Sequence, residues 1–473
     1  MAVWLWAPLT LQAQEAPLSV LDCIQEALQY NYTLAQTKNQ ASLNASNVNA
    51  AMGRMLPQAS ASTGSYWNTG LVIDPVTNEV RREPLNTASA SVGMSFNLFD
   101  GGRSLNGYRQ AKVQADINLE NVTAAEHNVI LNTATNYLSV LVAEEALEVA
   151  NTQLNQSEQQ LRRMQDMMDA GALSEADLLQ TKAQVARDVQ RRMAAVAQKE
   201  MAYLILAQSM GRSIVDFAIQ DELIGMETSP SVALAYTPSV LFEMSESKQP
   251  SIRVANLQVE SAQLGVKMAR ASRLPSLSFS GQLSTSYSDQ ARQQTGTVTL
   301  PIEVGYWIDA NGNPVPVLTD YTMPIFEKTP LNTQITDNVR QFVGFNLSVP
   351  LFSGFALSNQ VQQSKVMVSN AELQLKQTRD QYRQNVTRSQ LDAISAWDML
   401  DAADMAAEAA YASLQNAQIR RSEGLISAFE FNSIQDTYLN AKSEAIRAKY
   451  DAIFKNYLLE FILNPVQLET LRP

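Results

Sequence analysis

The length, composition and charge of the chain narrow its class before any motif is considered. The 473 residues suffice for one large elongated unit or for two to three globular domains, and a hydrophobic fraction of 45% excludes a wholly disordered chain. The net charge of −12 argues against a nucleic-acid binder, and the single cysteine, Cys23, and the single histidine, His127, leave little for disulfide, metal or acid–base chemistry. No zinc-protease, phosphate-loop or paired-cysteine motif is present, so the sequence predicts no enzymatic activity, no metal site and no cofactor.

The N-terminus resembles the end of a secretory signal peptide. Residues 2–11 are largely apolar, and Leu11-Gln12-Ala13 lies where a cleavage site follows such a run. We therefore interpret residues 1–14 as residual signal peptide and expect export. Cys23 falls within an amphipathic helical pattern and is predicted to be a small core side chain. No later run reaches the roughly 18 apolar residues that a membrane-spanning helix requires.

Residues 57–99 contain two predicted strands that alternate between apolar and small polar side chains. In the second, residues 88–98, the apolar positions are Ala, Val, Met, Phe and Leu, and the positions between them are only Ser, Gly and Asn. This alternation indicates a strand with two different faces, yet a half-buried strand of a soluble protein usually shows charge to water. The pattern favours a membrane strand with lipid on one side and a wet lumen on the other, and the edge of a soluble sandwich is the alternative.

A very long helical stretch follows, from residue 103 to about 168, without a proline. Apolar residues recur every seven positions along it at Val140, Leu147, Leu154, Leu161 and Met168. Such a repeat predicts a coiled-coil seam. Gly171 interrupts the pattern as a left-handed helix end, and Ser174 with Asp177 restarts it as a pair resembling a capping box. The segment is predicted to be a helical hairpin with its tip at about 169–173.

The second half of the chain repeats this plan. LFDGGRSLNGYRQAK (98–112) aligns with LFSGFALSNQVQQSK (351–365), and DAGALSEADLLQ (169–180) aligns with SEGLISAFEFNS (422–433) at the same offset. Two matches at one offset indicate an internal duplication. Each copy is predicted to contain a helix, a pair of strands and a long helical hairpin.

The duplication sets the predicted domain boundaries. The first repeat comprises residues 15–245 and the second 246–465, before a C-terminal tail at 466–473. The strands of the second repeat fall at about 275–352 and its helical tip at about 422–426. Between these strands lies a longer segment, about 288–337, that is rich in Pro, Gly and Asn and is predicted to be a loop at the outer mouth, with its conformation undecided.

The duplicated LF-x-G motif and the duplicated glycine-led tip resemble the TolC family of outer-membrane efflux channels over about residues 15–465. Four strands cannot close a barrel, and open sheet edges are not tolerated in lipid, so the barrel must be shared between chains. The resemblance implies an α+β membrane protein of the bacterial outer membrane. Its expected form is a homotrimer with a 12-stranded β-barrel, four strands per chain, continued by a long antiparallel α-helical coiled-coil tunnel in the periplasm.

The resemblance also implies a function and partners. The channel would be the exit duct of a tripartite efflux or secretion system, fed by an inner-membrane transporter of RND or ABC type through a periplasmic adaptor. It would contact outer-membrane lipid and have no enzymatic activity. A periplasmic adaptor or a structural coiled-coil protein is the alternative, although neither would explain four lipid-compatible strands.

The resemblance assigns roles to residues at the periplasmic tips. Glu430 stands where the family carries an acidic residue of the periplasmic aperture, whereas Ser433 replaces a second acid and would weaken that ring. A gate link between the two hairpins would join Arg421 to Asp177. The expected adaptor-contact residues are Gly171, Ala172, Leu173, Gly424, Leu425 and Ile426. We expect Leu173 and Ile426 to be exposed there.

Overall fold

The computed structural model describes residues 17–170, 174–213, 215–220 and 230–464. Its helices are α1 (Val20–Tyr30), α2 (Tyr32–Gly53), α3 (Arg103–Asp169), α4 (Glu175–Ser209), α5 (Pro238–Ser245), α6 (Pro250–Ala271), α7 (Leu331–Asp337), α8 (Ala356–Ser422) and α9 (Ala428–Leu463). Its strands are β1 (Gln58–Asn68), β2 (Val72–Ile73), β3 (Val80–Arg81), β4 (Leu85–Phe99), β5 (Ser276–Ser288), β6 (Arg292–Ile308), β7 (Pro314–Lys328) and β8 (Arg340–Ser348). No helix within the described ranges combines the length and the hydropathy that crossing a bilayer requires. The interpreted signal peptide, residues 1–14, lies outside these ranges.

The chain divides into two compact units that cut across the two sequence repeats. The helical unit draws on residues 1–46, 112–262 and 366–473, and the strand unit on residues 47–111 and 263–365. Each unit therefore takes segments from both halves of the duplication.

The strand unit contains a four-stranded antiparallel sheet in the order β1-β4-β5-β8. Its register places the apolar positions of all four strands on one face: Val92 pairs with Leu283, and Phe279 pairs with Phe345 at 5.4 Å between ring centroids. On the other face Ser91 lies between Ser62, with 2.9 Å between their hydroxyl oxygens, and Ser284. The four predicted strands and their two-faced alternation are thus confirmed. Among the strands that the structure describes, β1 and β8 each keep one unpaired edge.

The longer segment between β5 and β8 folds as a hairpin and a short helix instead of an irregular loop. β6 and β7 pair antiparallel from Arg292 opposite Lys328 to Ile308 opposite Pro314, and α7 follows. Its prolines, which suggested a loop, are tolerated because each strand of a two-stranded ribbon has a free edge where no backbone N–H is needed. Apolar side chains on this hairpin, including Leu300 and Tyr321, are exposed.

Buried polar side chains hold the end of β5, α7 and the segment around β2 together. Asp74, Ser288 and Gln334 are almost fully buried. The Ser288 hydroxyl donates to the Asp74 carboxylate at 2.6 Å, while the Gln334 amide accepts from the Ser288 N–H and donates to the Ser288 carbonyl, both at 2.9 Å. Because buried polar groups are costly unless paired, this arrangement fixes the position of α7.

The duplicated LF-x-G motif forms the same backbone turn twice. Gly101 and Gly354 both have positive φ angles, +68° and +57°, a region that favours glycine. At Gly101 a Cβ atom would also lie 2.8 Å from the carbonyl oxygen of Ala271. The Asp100 carboxylate then accepts from the backbone N–H of Ser104 at 2.8 Å and satisfies a free donor in the first turn of α3.

The helical unit has its core between the long helices. One cluster contains Cys23, Val140 and Leu206, and a second contains Val386 and Leu459, all fully buried. The prediction of Cys23 as a core side chain is confirmed, and burial raises the pKa of its thiol to about 12.

His127 packs edge-on against the ring of Phe461 at 5.4 Å between centroids. Among the described residues no group of three or more His, Cys, Asp or Glu is arranged to hold a metal ion.

Candidate functional site

The tip between α8 and α9 is built by a glycine turn and a serine cap. Gly424 has a φ angle of +74°, its N–H donates to the Arg421 carbonyl at 3.0 Å, and the Leu425 N–H donates to the Arg420 carbonyl at 2.8 Å. This pair of bonds is the Schellman ending of a helix. Ser427 then caps α9 by accepting from the Glu430 N–H at 3.2 Å. The predicted glycine end and serine restart are both present.

Glu430 lies on the exposed face of α9 together with Ser433 and Thr437. Its carboxylate is half exposed and lies 3.8 Å from the guanidinium of Arg420, an ion pair that the sequence analysis missed. Asp436, on another face of α9, is instead paired with Arg191 of α4 at 2.9 Å. Of these two carboxylates, Glu430 at the tip therefore has the longer ion-pair distance.

Arg421 is half-buried at the end of α8. Its guanidinium stacks over the ring of Phe431 at 4.7 Å, and the Gln160 amide oxygen, in the orientation that satisfies both groups, accepts from its Nη1 and Nε at 3.3 Å. Burial lowers the pKa of Arg421, repulsion from Arg163 adds to this, and attraction to Asp177 opposes it. The partners of Arg421 are thus mainly an aromatic ring and an amide.

Asp177 stands at the start of α4 and serves its cap. Its carboxylate accepts from the Ser174 hydroxyl at 2.6 Å, and the same hydroxyl accepts from the Asp177 N–H at 3.3 Å. Among the described ion pairs none joins Asp177 to Arg421 within 4.0 Å, although Asp177 is near enough to influence the pKa of Arg421. The structure brings the two ends of the expected gate link to one region but not into contact, and the link stays a prediction.

The exposed apolar residues at the second tip differ from those expected. Leu425 is 64% exposed and Phe429, which the sequence analysis missed, is 68% exposed. Ile426 is only half exposed because it packs with Phe431 and Ala417, so the expectation that it is exposed is corrected. The residues of the first tip, Gly171, Ala172 and Leu173, lie outside the described residues.

A buried carboxylate connects the two hairpins behind the tips. Asp188 of α4 is 1% exposed and accepts from the Gln184 amide at 3.2 Å, and Arg191 lies 3.4 Å from Asp188 and 2.9 Å from Asp436 of α9. Burial raises the pKa of Asp188, while hydrogen bonds and Arg191 oppose the shift. Arg191 therefore connects α4 to α9 through its ion pairs with Asp188 and Asp436.

Further amides cross the same junction. The Gln435 amide of α9 donates to the side-chain oxygens of Gln153 and Gln156 of α3, both at 3.2 Å. Heptad periodicity predicts a coiled-coil seam along α3, but it does not predict which polar residues of other helices meet there.

An antiparallel sheet with an exposed apolar face, joined in one chain to two pairs of long helices, is typical of outer-membrane efflux channels. The model of the outer membrane efflux protein family matches residues 23–212 and 241–464, and the chain belongs to this family. Localisation in the outer membrane follows.

Individual relatives agree with this assignment. The chain is 22% identical over 440 residues to the outer membrane efflux protein BepC of Brucella suis, covering 89% of this chain and 82% of BepC. It is 22% identical over 414 residues to the outer membrane protein TolC of Escherichia coli, covering 87% and 74%. A crystal structure of CusC, 15% identical, has the same fold with a TM-score of 0.74, covering 94% of this chain and 91% of that chain.

Proposed function

We propose that three copies of this chain form the exit duct of a tripartite efflux or secretion system. An inner-membrane pump of RND or ABC type would deliver substrates through a periplasmic adaptor, and the duct would release them outside the cell. The observation that carries the proposal is the two-faced sheet with unpaired edges on β1 and β8. In lipid these edges require partners, and further copies of the chain supply them.

The composition of the two sheet faces supports a water-filled barrel. The polar face carries serine rows such as Ser62, Ser91 and Ser284, which are small enough to leave room and polar enough to hold water. Val343 and Phe345 on the other face are uncharged and suited to acyl chains. Three copies supply twelve strands, and a twelve-stranded barrel is wider than an eight-stranded one. The interior of an eight-stranded barrel can be filled by side chains alone.

The helical tips are proposed as the periplasmic gate. Three copies of Glu430 would place three carboxylates around the aperture, with Ser433 one turn behind each. Arg420, at 3.8 Å from Glu430, would moderate their repulsion. A link between Arg421 and Asp177 would oppose opening, and the attraction that Asp177 exerts on Arg421 supports it.

The same tips are proposed as the adaptor contact. Leu425 and Phe429 give the second tip an exposed apolar surface beside Gly424, where an adaptor helix could bury them. Gly171, Ala172 and Leu173 would provide the equivalent surface at the first tip, and Ile426 would support the turn from below.

Purification and single-channel recording test the proposal together. The full chain should require detergent for extraction, show the mass of a trimer by light scattering, and conduct ions in planar lipid bilayers. A periplasmic adaptor or structural coiled-coil protein would be released without detergent and would give no conductance, and that result would refute the exit-duct proposal.

A further inference from the structure

One groove on the strand unit is not used by the exit-duct function. It has a volume of about 490 Å³ and lies on the apolar face of the sheet, where Ala61, Ala90 and Leu283 form one side. Ile335 of α7 and Val339 just beyond it form the opposite wall. None of the side chains that line the groove is charged.

The α7 wall is held in place before anything binds. The Thr285 hydroxyl donates to the Ile335 carbonyl at 2.9 Å, and the Asn338 amide donates to the Ser286 carbonyl at 2.7 Å. Gln334 is bonded to Ser288 through both its amide oxygen and its amide nitrogen. Because hydrogen bonds to Thr285, Ser286 and Ser288 fix this wall, the groove exists before a ligand binds. A preformed groove lowers the entropic cost of binding.

The position of the groove indicates its occupant. It is continuous with the face that carries Val92 and Val343, which the proposed function assigns to lipid, and it lies near the loop end of β5, within a few residues of Ser288. We propose that this groove binds one acyl chain of a membrane phospholipid. The inference rests on the proposed membrane placement of the sheet. It adds one specific lipid site to a surface that otherwise contacts freely exchanging lipid.

The lining chemistry fits an acyl chain better than other occupants. The groove also includes Ser62, Ser91 and Ser284, but the sheet register places these side chains on the opposite face. The Thr285 hydroxyl is already bonded to the Ile335 carbonyl. An alkyl chain, which has no hydrogen-bonding groups, therefore meets a mainly apolar and uncharged lining. Small side chains at Ala61 and Ala90 leave the depth that a chain requires, and Leu283 and Ile335 provide the flanking contacts.

Native mass spectrometry of the reconstituted protein tests the site. The full chain is reconstituted in phosphatidylethanolamine vesicles, released in mild detergent and weighed, so the assembly state and the bound phospholipid are read from one spectrum. We expect one retained phospholipid per chain. Ala90→Phe, which fills the groove, should lower occupancy by about tenfold or more, the loss expected when about two methylene contacts are removed.

A matched variant separates the groove from general lipid contact. Ala59→Phe makes the same substitution on the same sheet face, opposite Met94 and outside the groove, and should retain wild-type occupancy. Thr285→Val removes the bond that holds Ile335 and should lower occupancy even if Ala90→Phe does not assemble. Equal lipid retention in the wild type, Ala90→Phe and Thr285→Val, or no lipid on the wild type, overturns the inference. A wild-type mass that is not trimeric refutes the exit-duct assembly instead.

Discussion

The helical unit buries apolar clusters between its elements, whereas the strand unit exposes one apolar face of its sheet. In the helical unit Val140, Val386 and Leu459 are fully buried, whereas Val343 and Phe345 of the strand unit are about 70% exposed. Apolar groups are stabilised when they leave water, so the exposed face of the sheet supports the proposed placement against lipid. On that proposal, the difference teaches that one chain is folded for two solvents, water around the helices and lipid around the sheet.

The largest expected effect is the loss of stability when a buried leucine of the helical unit is truncated, compared with an exposed leucine of the sheet. Leu459→Ala should lower the free energy of unfolding by about 2–5 kcal/mol, since the packed helices cannot fill the cavity. Leu347→Ala on the exposed sheet face should cost less, because lipid chains can occupy the space that the side chain leaves. Urea titration of the vesicle-reconstituted trimer gives both values, and equal losses would contradict the comparison.

A charge on one face of β8 tests the assignment of the sheet to lipid. Val343→Arg should destabilise the inserted barrel by about 2–4 kcal/mol if this residue lies near the middle of the bilayer. Asn346→Arg, on the opposite face of the same strand, should have a much smaller effect because its guanidinium can remain hydrated. The folded fraction recovered in vesicles measures the difference, and the reverse order would mean that the faces are assigned the wrong way round.

The second tip of the helical unit exposes two large apolar side chains, Leu425 and Phe429. Leu425→Asp combined with Phe429→Asp should abolish efflux, because charged tips cannot bury against an adaptor, while the trimer still reaches the outer membrane. Accumulation of a panel of fluorescent dyes in cells and native gels of the membrane fraction provide the readouts. Gln418→Asp, exposed on α8 before the tip, serves as the control. Unchanged dye accumulation in the double variant would place the adaptor contact elsewhere.

Smaller changes are expected at the aperture. Glu430→Gln should reduce the cation preference of the channel, and Arg420→Gln should increase it, since the two charges lie 3.8 Å apart and oppose each other. Both are half exposed, so each effect should correspond to about 0.2–1 kcal/mol and should shrink as salt is raised. Reversal potentials in planar bilayers measure the preference. Shifts of the same sign in the two variants would exclude an aperture role for this pair.

The smallest predicted effect is a pH dependence arising from Asp188. Burial raises its pKa in the folded state above the usual value of 3.8, so the protonated carboxyl favours folding at low pH. This contribution is fully present below pH 3.8 and is lost as the pH rises through the raised folded-state pKa. Relative to the wild type, Asp188→Asn should therefore gain stability as the pH rises above 3.8, until the raised folded-state pKa has been passed. Urea midpoints of both proteins across that range test this, and a constant difference would remove Asp188 as the cause.

The candidate site was only partly predictable. The glycine turn at Gly424 and the cap at Ser427 follow from local backbone chemistry and could be inferred from the residues alone. The partners of Arg421 could not, because Phe431 and Gln160 reach it from other turns and helices. The exposure of the tip residues was missed for the same reason. Ile426 and Phe429 are both large and apolar, but the packing of α8 against α9 partly buries Ile426 and leaves Phe429 in solvent.

The sequence by itself determined what depends on short-range periodicity. The two-residue alternation in β4 and β8, the seven-residue repeat in α3 and the left-handed helix end at Gly424 are local features, so the residues indicate them directly. Only the tertiary structure decided which distant groups meet: β6 with β7 despite their prolines, Asp74 with Ser288, and Asp188 with Asp436 through Arg191. These contacts depend on how elements far apart in the chain are aligned with each other. Local sequence patterns do not contain that alignment, because it is set when the whole backbone folds.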